Sequence, residues 1–256
     1  MAFIDTHAHL DDPRFDADLT EVITRSLAIG IEQIIVPSIQ ASGWARLQQL
    51  SQQYTQLLPA YGLHPMFMHQ HRRSHIAELH DWLNTHEAIA IGECGLDFYI
   101  PDPDKQEQQW FFEAQLALAD EFQLPVIIHA RKSVEQVIQT LRHFPTVTGV
   151  LHSFSGSQQQ AEQLIEMGFL LGFGGPATYS RASRLHALIR WLPLSSLLLE
   201  TDAPDQPDST HRGERNEPAY LQRVIEAICS LKGISQPALE EATTTNAQRL
   251  FKLPLI

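Results

Sequence analysis

Two histidines near the start of the chain have a spacing that suits metal binding. The segment Phe3-Ile4-Asp5-Thr6-His7-Ala8-His9 runs from apolar residues straight into a His-x-His pair. In a strand, side chains two positions apart point to the same face, so His7 and His9 would aim both imidazoles at one place. Imidazole is a ligand for zinc, manganese, cobalt, iron and nickel. The pair predicts half of a metal site, although His69 and His71 show that this spacing also arises by chance.

More potential ligands follow other short apolar runs in the same way. They are His64, Glu93, His129, His152 and Asp202. Each has an ordinary interpretation when taken alone: a histidine after a strand is usually a polar loop residue, Glu93 fits a helix cap, and Asp202 fits a turn before Pro204. Taken together, those interpretations require the residues to converge by accident, and unpaired ionisable groups beside an apolar core are costly. We therefore predict that they share one metal site with the first two histidines.

The elements that must position these residues alternate along the whole chain. Strands are expected at about 2–5, 33–37, 57–62, 88–92, 125–129, 147–152, 169–173 and 197–200. Helices are expected within 16–29, 42–53, 75–84, 104–122, 133–143, 157–168, 183–191 and 217–232, with a last helical segment within 237–251. Two of the helices begin with the spacing of a capping box, Asp104 with Glu107 and Ser133 with Gln136.

Eight strands that are each followed by a helix predict the α/β fold class, as a (β/α)8 TIM barrel with an additional C-terminal helix. In that fold the active site lies at the carboxyl ends of the strands, so six of the eight strands would deliver a histidine or an acid to one rim. A doubly wound open sheet is the alternative, but it needs a glycine-rich phosphate loop after the first strand, and the sequence has none. We expect one domain over residues 1–256.

The composition limits the classes of function. A net charge of −12 argues against a broad nucleic-acid-binding surface, which would be basic. It does not exclude a nuclease whose phosphate contacts lie in a metal-filled cleft, because bound ions dominate the local field. No apolar run approaches the ~20 residues of a membrane span, and two cysteines form no disulfide framework. With candidate ligands at His7 and His9, we expect no cleavable secretory signal. We expect a cytoplasmic monomer with no membrane association and no obligatory protein partner.

Eight separate segments of the chain resemble the TatD family of metal-dependent deoxyribonucleases, within the amidohydrolase-like TIM barrels. They occur in the order of the family and span the chain from end to end. The segments are Asp5-Thr6-His7-Ala8-His9, Gly62-Leu63-His64-Pro65, Gly92-Glu93-Cys94-Gly95-Leu96-Asp97, His129-Ala130-Arg131, His152-Ser153-Phe154-Ser155-Gly156, Glu200-Thr201-Asp202-Ala203-Pro204, Arg215-Asn216-Glu217-Pro218 and Thr245-Asn246-Ala247-Gln248-Arg249-Leu250-Phe251. One minor departure is Ala130, where the family more often has serine or cysteine.

This resemblance implies a centre of two divalent ions, zinc, manganese or magnesium. One ion would be held by His7, His9 and Asp202, the other by His129 and His152, and Glu93 would bridge the two. His64 would stand close by, in contact with the substrate or with water. Barrels of the wider group often bridge their metals with a carboxylated lysine, so Glu93 favours the deoxyribonuclease branch.

The implied chemistry is hydrolysis. Two ions ~3.5–4 Å apart can bind a bridging water, lower its pKa and hold a phosphoryl oxygen. Asp202 would align that water and accept its proton, which makes Asp202, Glu93 and His64 the candidate catalytic residues. Arg131, Arg215 and Asn216 are the candidate substrate-binding residues, and we interpret the charge of Lys132 as that of a solvated loop residue.

We expect a 3′-to-5′ exodeoxyribonuclease that acts on the ends of single DNA strands. An alternative is a hydrolase of amide, ester or lactone bonds, including aminoacyl esters on RNA, that uses the same centre. A third possibility is a non-catalytic barrel that binds a metal or a partner protein. The full ligand set argues against that last class, because a scaffold has no need of a bridging acid.

Overall fold

The computed structural model of the protein describes residues 2–254, and these contain eight β-strands and nine α-helices. The strands are β1 Phe3–Asp5, β2 Ile31–Pro37, β3 Leu57–Tyr61, β4 Ala90–Asp97, β5 Val126–Arg131, β6 Gly149–Leu151, β7 Leu170–Phe173 and β8 Leu197–Leu199. The helices are α1 Leu19–Ala28, α2 Trp44–Gln53, α3 Ser74–Thr85, α4 Lys105–Phe122, α5 Val134–Leu141, α6 Gln158–Glu166, α7 Ser183–Trp191, α8 Leu221–Lys232 and α9 Gln236–Phe251.

The chain divides into two compact units, which are described separately. The first unit holds the chain up to Val36, the segment Ser153–Ser157 and the chain from Leu171 onward. Within it, β1 pairs in parallel with β2, and β7 pairs in parallel with β8. A parallel bridge between Ala8 and Ala203 joins the segments that follow β1 and β8.

The second unit holds the segments Pro37–His152 and Gln158–Leu170. Its strands β3, β4, β5 and β6 lie side by side in that order, and all of their pairings are parallel. The apolar residues of β5, Val126, Ile127 and Ile128, have no exposed surface. Strands buried on both faces are typical of parallel sheets whose faces are covered by helices.

The fourth strand differs from its prediction, because β4 continues to Asp97 instead of ending at residue 92. All eight of its residues are buried, and it pairs with β5 as far as Asp97 opposite Arg131. Cys94 and two glycines interrupt the apolar pattern, which made this stretch resemble a loop in the sequence. As a result, Glu93 lies inside the strand and Asp97 ends it.

The two predicted capping boxes have different outcomes. Asp104 accepts a hydrogen bond from the backbone N–H of Glu107 at 2.9 Å, which confirms the start of α4. Ser133 makes no cap; its hydroxyl instead donates to the carbonyl of Leu96 at 2.6 Å and ties the end of β5 to β4. Helix α8 begins at Leu221, later than the predicted 217, because Pro218–Tyr220 forms a separate 3₁₀ turn.

Within residues 2–254, no helix has the length and apolar character that a membrane crossing requires.

Candidate metal centre

Backbone pairing brings the His-x-His pair of the first unit to Asp202. The N–H of Asp202 donates to the carbonyl of His7 at 2.8 Å, and the N–H of His9 donates to the carbonyl of Ala203 at 2.7 Å. These bonds extend the sheet one step beyond β1 and β8, where the side chains that follow both strands face the same point. The convergence predicted from the spacing of the two histidines with Asp202 is therefore present in this unit.

The three side chains are spaced as ligands of one ion. The Nε2 atoms of His7 and His9 lie 3.2 Å apart, and each is 3.5 Å from Oδ1 of Asp202. Ligand atoms bound to a tetrahedral zinc at ~2.0–2.1 Å are about 3.3 Å from one another. Two imidazole nitrogens and a carboxylate oxygen are also the donors that zinc and manganese prefer. This group, which we call the Asp202 triad, fits a divalent ion.

The second carboxylate oxygen of Asp202 has a different partner, one that the sequence did not suggest. The side-chain amide of Gln206 donates to Oδ2 of Asp202, and the hydroxyl of Ser153 donates to Oε1 of Gln206 at 2.9 Å. The hydroxyl therefore orients the amide with its N–H groups toward the carboxylate. This arrangement leaves Oδ1 as the oxygen that faces the two histidines.

Asp5 supports the same triad from beneath. Its Oδ1 accepts hydrogen bonds from the backbone N–H of His7 at 3.2 Å and from that of Thr201 at 3.0 Å, and its Oδ2 accepts one from the Thr201 hydroxyl. Burial raises the pKa of Asp5 to about 7, against the lowering effect of these hydrogen bonds. Asp5 thus fixes both chain segments that carry the triad, a role hidden in the sequence because the residue ends an apolar strand.

In the second unit, Glu93 gathers three histidines around one of its oxygens. Oε1 of Glu93 lies 2.9 Å from Nε2 of His64, 3.1 Å from Nδ1 of His129 and 2.8 Å from Nε2 of His152. Glu93 is almost completely buried, as are His64 and His152. A buried carboxylate needs compensating partners, and these imidazoles supply them. We call these four residues the Glu93 cluster.

Asp97 determines which nitrogen of His129 is available to an ion. Nε2 of His129 is 2.9 Å from Oδ2 of Asp97, so Nε2 carries the proton and Nδ1 presents its lone pair toward Glu93 and His152. Metal-ligating histidines usually donate their other N–H to a carboxylate in this way. Burial alone would lower the pKa of His129, but the hydrogen bonds that its doubly protonated form donates to Asp97 and Glu93 raise it above the ordinary value. The motif that contains Glu93 also contains Asp97, but the sequence alone suggested no role for Asp97.

His64 has the opposite arrangement. Its Nδ1 accepts a hydrogen bond from the backbone N–H of Met66 at 3.0 Å, so a neutral His64 carries its proton on Nε2 and donates it to Glu93. A protonated nitrogen is no metal ligand. This geometry is consistent with the predicted place of His64 beside the metals, as a contact rather than a ligand.

The remaining atoms of the Glu93 cluster also fit an ion. Nδ1 of His129 and Nε2 of His152 are 3.4 Å apart, and both are close to Oε1 of Glu93. Two nitrogens and one oxygen at these separations match the ligand spacing of a zinc-sized ion. Whether Glu93 bridges two ions stays a prediction, as do the individual roles of all six ligands.

The predicted substrate-binding residues lie in contrasting environments. The guanidinium of Arg215 makes a bidentate ion pair with Asp18, with both distances at 2.7 Å. Asn216 is buried, and its amide donates to the carbonyls of Thr201 and Asp205, both at 2.8 Å. Both residues hold the loop that carries Asp202, and a direct contact with substrate stays a prediction for each.

Arg131 is the candidate substrate-binding residue that remains accessible. It ends β5, two residues after His129, and its side chain is 48% exposed. Its nearest carboxylate is Oδ2 of Asp97, at 4.0 Å from Nη1. The accessible guanidinium is therefore placed near the Glu93 cluster with its charge only loosely paired.

The chain resembles known proteins along almost its whole length. The family model described as TatD related DNase matches residues 4–252. The chain is 40% identical to the uncharacterized metal-dependent hydrolase YjjV of Escherichia coli K12, over 98% of each chain. It is 37% identical to the uncharacterized metal-dependent hydrolase YabD of Bacillus subtilis, over 97% of this chain and 98% of the relative.

Among solved structures, the crystal structure of the TatD homologue YjjV from Escherichia coli K12 matches with a TM-score of 0.95. The sequence identity in that match is 38%, and it covers 98% of each chain. The similarity confirms the predicted (β/α)8 fold class.

Proposed function

The chain belongs to the TatD family of metal-dependent hydrolases, and on that premise we propose that it hydrolyses phosphodiester bonds at the ends of single DNA strands. The observation that carries the proposal is the division of the six predicted ligands into two groups, each with the spacing of ligands around one ion. A single tetrahedral ion binds only four ligands, fewer than the six that are predicted.

The donor set fits divalent ions, with the Asp202 triad and the Glu93 cluster as their holders. When bound, such ions supply a water of lowered pKa and positive charge for a phosphoryl oxygen. The chain's own contribution begins with Asp202, whose carboxylate accepts the proton of the attacking water. Gln206 holds Oδ2 of that carboxylate, so its orientation is fixed before the substrate arrives.

His64 and Arg131 complete the set of groups that act on the substrate. His64 carries its proton on Nε2 and donates a hydrogen bond to Glu93. This hydrogen bond keeps the Glu93 carboxylate ionised and oriented. The guanidinium of Arg131 pairs with a phosphate oxygen, for which a planar donor pair is well suited. His64 acts through hydrogen bonds that the folded chain has already formed.

The substrate class follows from charge and from family resemblance. A net charge of −12 argues against a broad basic surface along which a duplex would lie. In a (β/α)8 fold the reactive groups lie at the carboxyl ends of the strands, which a flexible unpaired end reaches more readily than an intact duplex. The family resemblance favours the 3′ end.

A labelled oligonucleotide tests the proposal. The metal-loaded protein is incubated with a single strand labelled at its 5′ end, in parallel with Mg²⁺, Mn²⁺ and Zn²⁺, and the products are separated by length. We expect a ladder that shortens from the 3′ end. The Asp202→Asn variant, purified in the same way, controls for contaminating nucleases.

Two outcomes would overturn the proposal. One is an uncut linear strand beside rapid nicking of closed circular duplex DNA, which would indicate an endonuclease. The other is hydrolysis confined to carboxylic esters, amides or lactones in a parallel substrate panel, which would indicate the alternative chemistry at the same centre.

A further inference from the structure

Two cationic side chains lie over the ring of an exposed tyrosine in the second unit. Tyr99 follows β4 and is 52% exposed, more than any other large hydrophobic residue that the structure describes. Cζ of Arg131 lies 3.9 Å from the centre of its ring, and Nζ of Lys132 lies 4.5 Å from it. Both distances are well within the ~6 Å range of cation–π attraction. The ring therefore holds two positive charges together in a chain that is strongly acidic overall.

Those two charges are available to an external anion. The carboxylate nearest to Arg131 belongs to Asp97 and already accepts hydrogen bonds from His129 and from the backbone. Lys132 enters none of the ion pairs found among residues 2–254. A comparable exposed arginine, Arg73 over the ring of Trp110, is instead neutralised by a bidentate pair with Glu107.

The backbone holds the three side chains in place. The pairing of β4 with β5 continues to Asp97 opposite Arg131, and the N–H of Phe98 donates to the carbonyl of Arg131 at 2.9 Å. The hydroxyl of Ser133 closes the turn after Lys132 by donating to Leu96. Groups that are already ordered lose less entropy when they bind a ligand.

The position of the cations suggests what they bind. Arg131 lies two residues beyond His129 on the same strand, and both side chains approach Oδ2 of Asp97. Two residues of strand span about 6.6 Å, which is similar to the separation of neighbouring phosphates in an extended nucleic-acid strand. A strand with one phosphate at the Glu93 cluster would thus bring the next phosphate to Arg131 and Lys132.

We propose that Tyr99, Arg131 and Lys132, here called the Tyr99 patch, form a subsite for the phosphate that neighbours the hydrolysed one. The inference deepens the proposed function and rests on it. It assigns Lys132 to the substrate in place of its interpretation as a solvated loop charge. It also makes Tyr99 a positioning residue, whose ring gathers the two cations.

The first experiment measures binding separately from cleavage. A fluorescent single strand with hydrolysis-resistant phosphorothioate linkages is titrated with metal-loaded protein, and its anisotropy is followed at several salt concentrations. We expect the double variant Arg131→Gln with Lys132→Gln to bind roughly tenfold more weakly, because two exposed charge contacts are lost. The magnitude of the slope of the logarithm of the binding constant against the logarithm of the salt concentration should fall by about 0.7, because one phosphate contact is lost.

Matched variants separate this subsite from general charge effects. Tyr99→Leu should weaken binding several-fold because the cations lose their common support, whereas Tyr99→Phe should bind like the parent because it keeps the ring. Arg73→Gln removes an exposed positive charge from another cation–π pair and should leave the affinity unchanged. The proposal is overturned if the double variant binds like the parent, or if Arg73→Gln weakens binding as much as the double variant does.

A cleavage assay on the same proteins distinguishes failure of the subsite from failure of the proposed function. A neutral methylphosphonate placed next to the terminal linkage should lower kcat/KM for the parent but not for the double variant. If the parent binds the strand through the patch and cuts no phosphodiester, the proposed function fails, and the patch stands only as a binding site for a phosphate of the strand. If cleavage proceeds and neither the methylphosphonate nor the double substitution changes kcat/KM, the subsite fails and the proposed function stands.

Discussion

At the scale of single residues, the metal ligands depend on neighbours that determine which of their atoms faces an ion. Gln206 occupies Oδ2 of Asp202 and leaves Oδ1 toward His7 and His9. Asp97 occupies Nε2 of His129 and leaves Nδ1 toward Glu93. Such supporting partners typically change metal affinity or activity by ~10–100-fold when they are removed.

Asp202→Asn should keep the fold and lower turnover by ~10²–10⁴-fold, since the amide retains the shape of the carboxylate but accepts no proton. Single-turnover cleavage of the labelled strand, together with the metal content of the same sample, measures the effect. If Asp202→Asn turned over like the parent while Glu93→Gln did not, the role of proton acceptor would pass to Glu93.

Asp97→Asn should weaken metal binding at the Glu93 cluster at least tenfold. Oδ1 of Asp97 accepts hydrogen bonds from the backbone N–H groups of Tyr99 and Ile100. In the asparagine variant the single amide oxygen should keep these two hydrogen bonds, which places the NH₂ group next to Nε2 of His129. That donor forces the His129 proton onto Nδ1, the nitrogen needed for the ion. Competition with a metal-binding dye measures the affinity. Asp104→Asn, in the following loop, is the matched control, and equal effects of both substitutions would refute the role of Asp97.

At the scale of elements, an ion-pair network secures the loop after β8 to the start of α1. Asp18 pairs with Arg215 and Arg25, and Arg25 also makes a bidentate contact with Glu217. The hydrogen bond from Arg215 is the main reason why the pKa of Asp18 falls to about 2. Arg215, which was predicted from the sequence to bind substrate, thus forms an ion pair within the protein, with Asp18.

Asp18→Asn should destabilise the protein by about 0.2–1 kcal/mol at pH 7, because the pair is partly exposed to solvent. A carboxylate with a lowered pKa contributes stability above its ordinary pKa of 3.8, and that contribution is lost as the pH falls toward 2. The difference in Tm between parent and variant should therefore shrink from pH 7 to pH 3. Glu226→Gln, in the exposed pair with Arg223, is the control; a Tm difference that grows on acidification would contradict this account.

The sequence predicted the elements well where the apolar pattern was regular. It failed at β4, where Cys94 and Gly95 replace the expected apolar residues and hide a strand that is buried throughout. The candidate metal ligands could be proposed from the sequence because histidines and acids at strand ends are conspicuous. Asp5, Asp97 and Gln206 were missed, because their roles depend on hydrogen bonds to residues far along the chain or on side-chain orientation, neither of which leaves a spacing signal.

At the scale of the whole molecule, each of the two compact units supplies its own group of ligands. The first unit contributes the Asp202 triad, and the second contributes the Glu93 cluster. In a chain with a net charge of −12, bound cations are an important source of attraction for a polyanion. The proposed hydrolysis therefore depends on the binding of divalent ions by these two groups.

The most direct test is the number of divalent ions per chain, measured by elemental mass spectrometry after metal loading and removal of excess metal. We expect about two ions in the parent and about one in His9→Ala or His152→Ala, with a strong chelator abolishing hydrolysis. His80→Ala, which removes an exposed histidine on α3, should retain two ions. A parent that carries no transition metal and remains fully active after chelation would contradict the account.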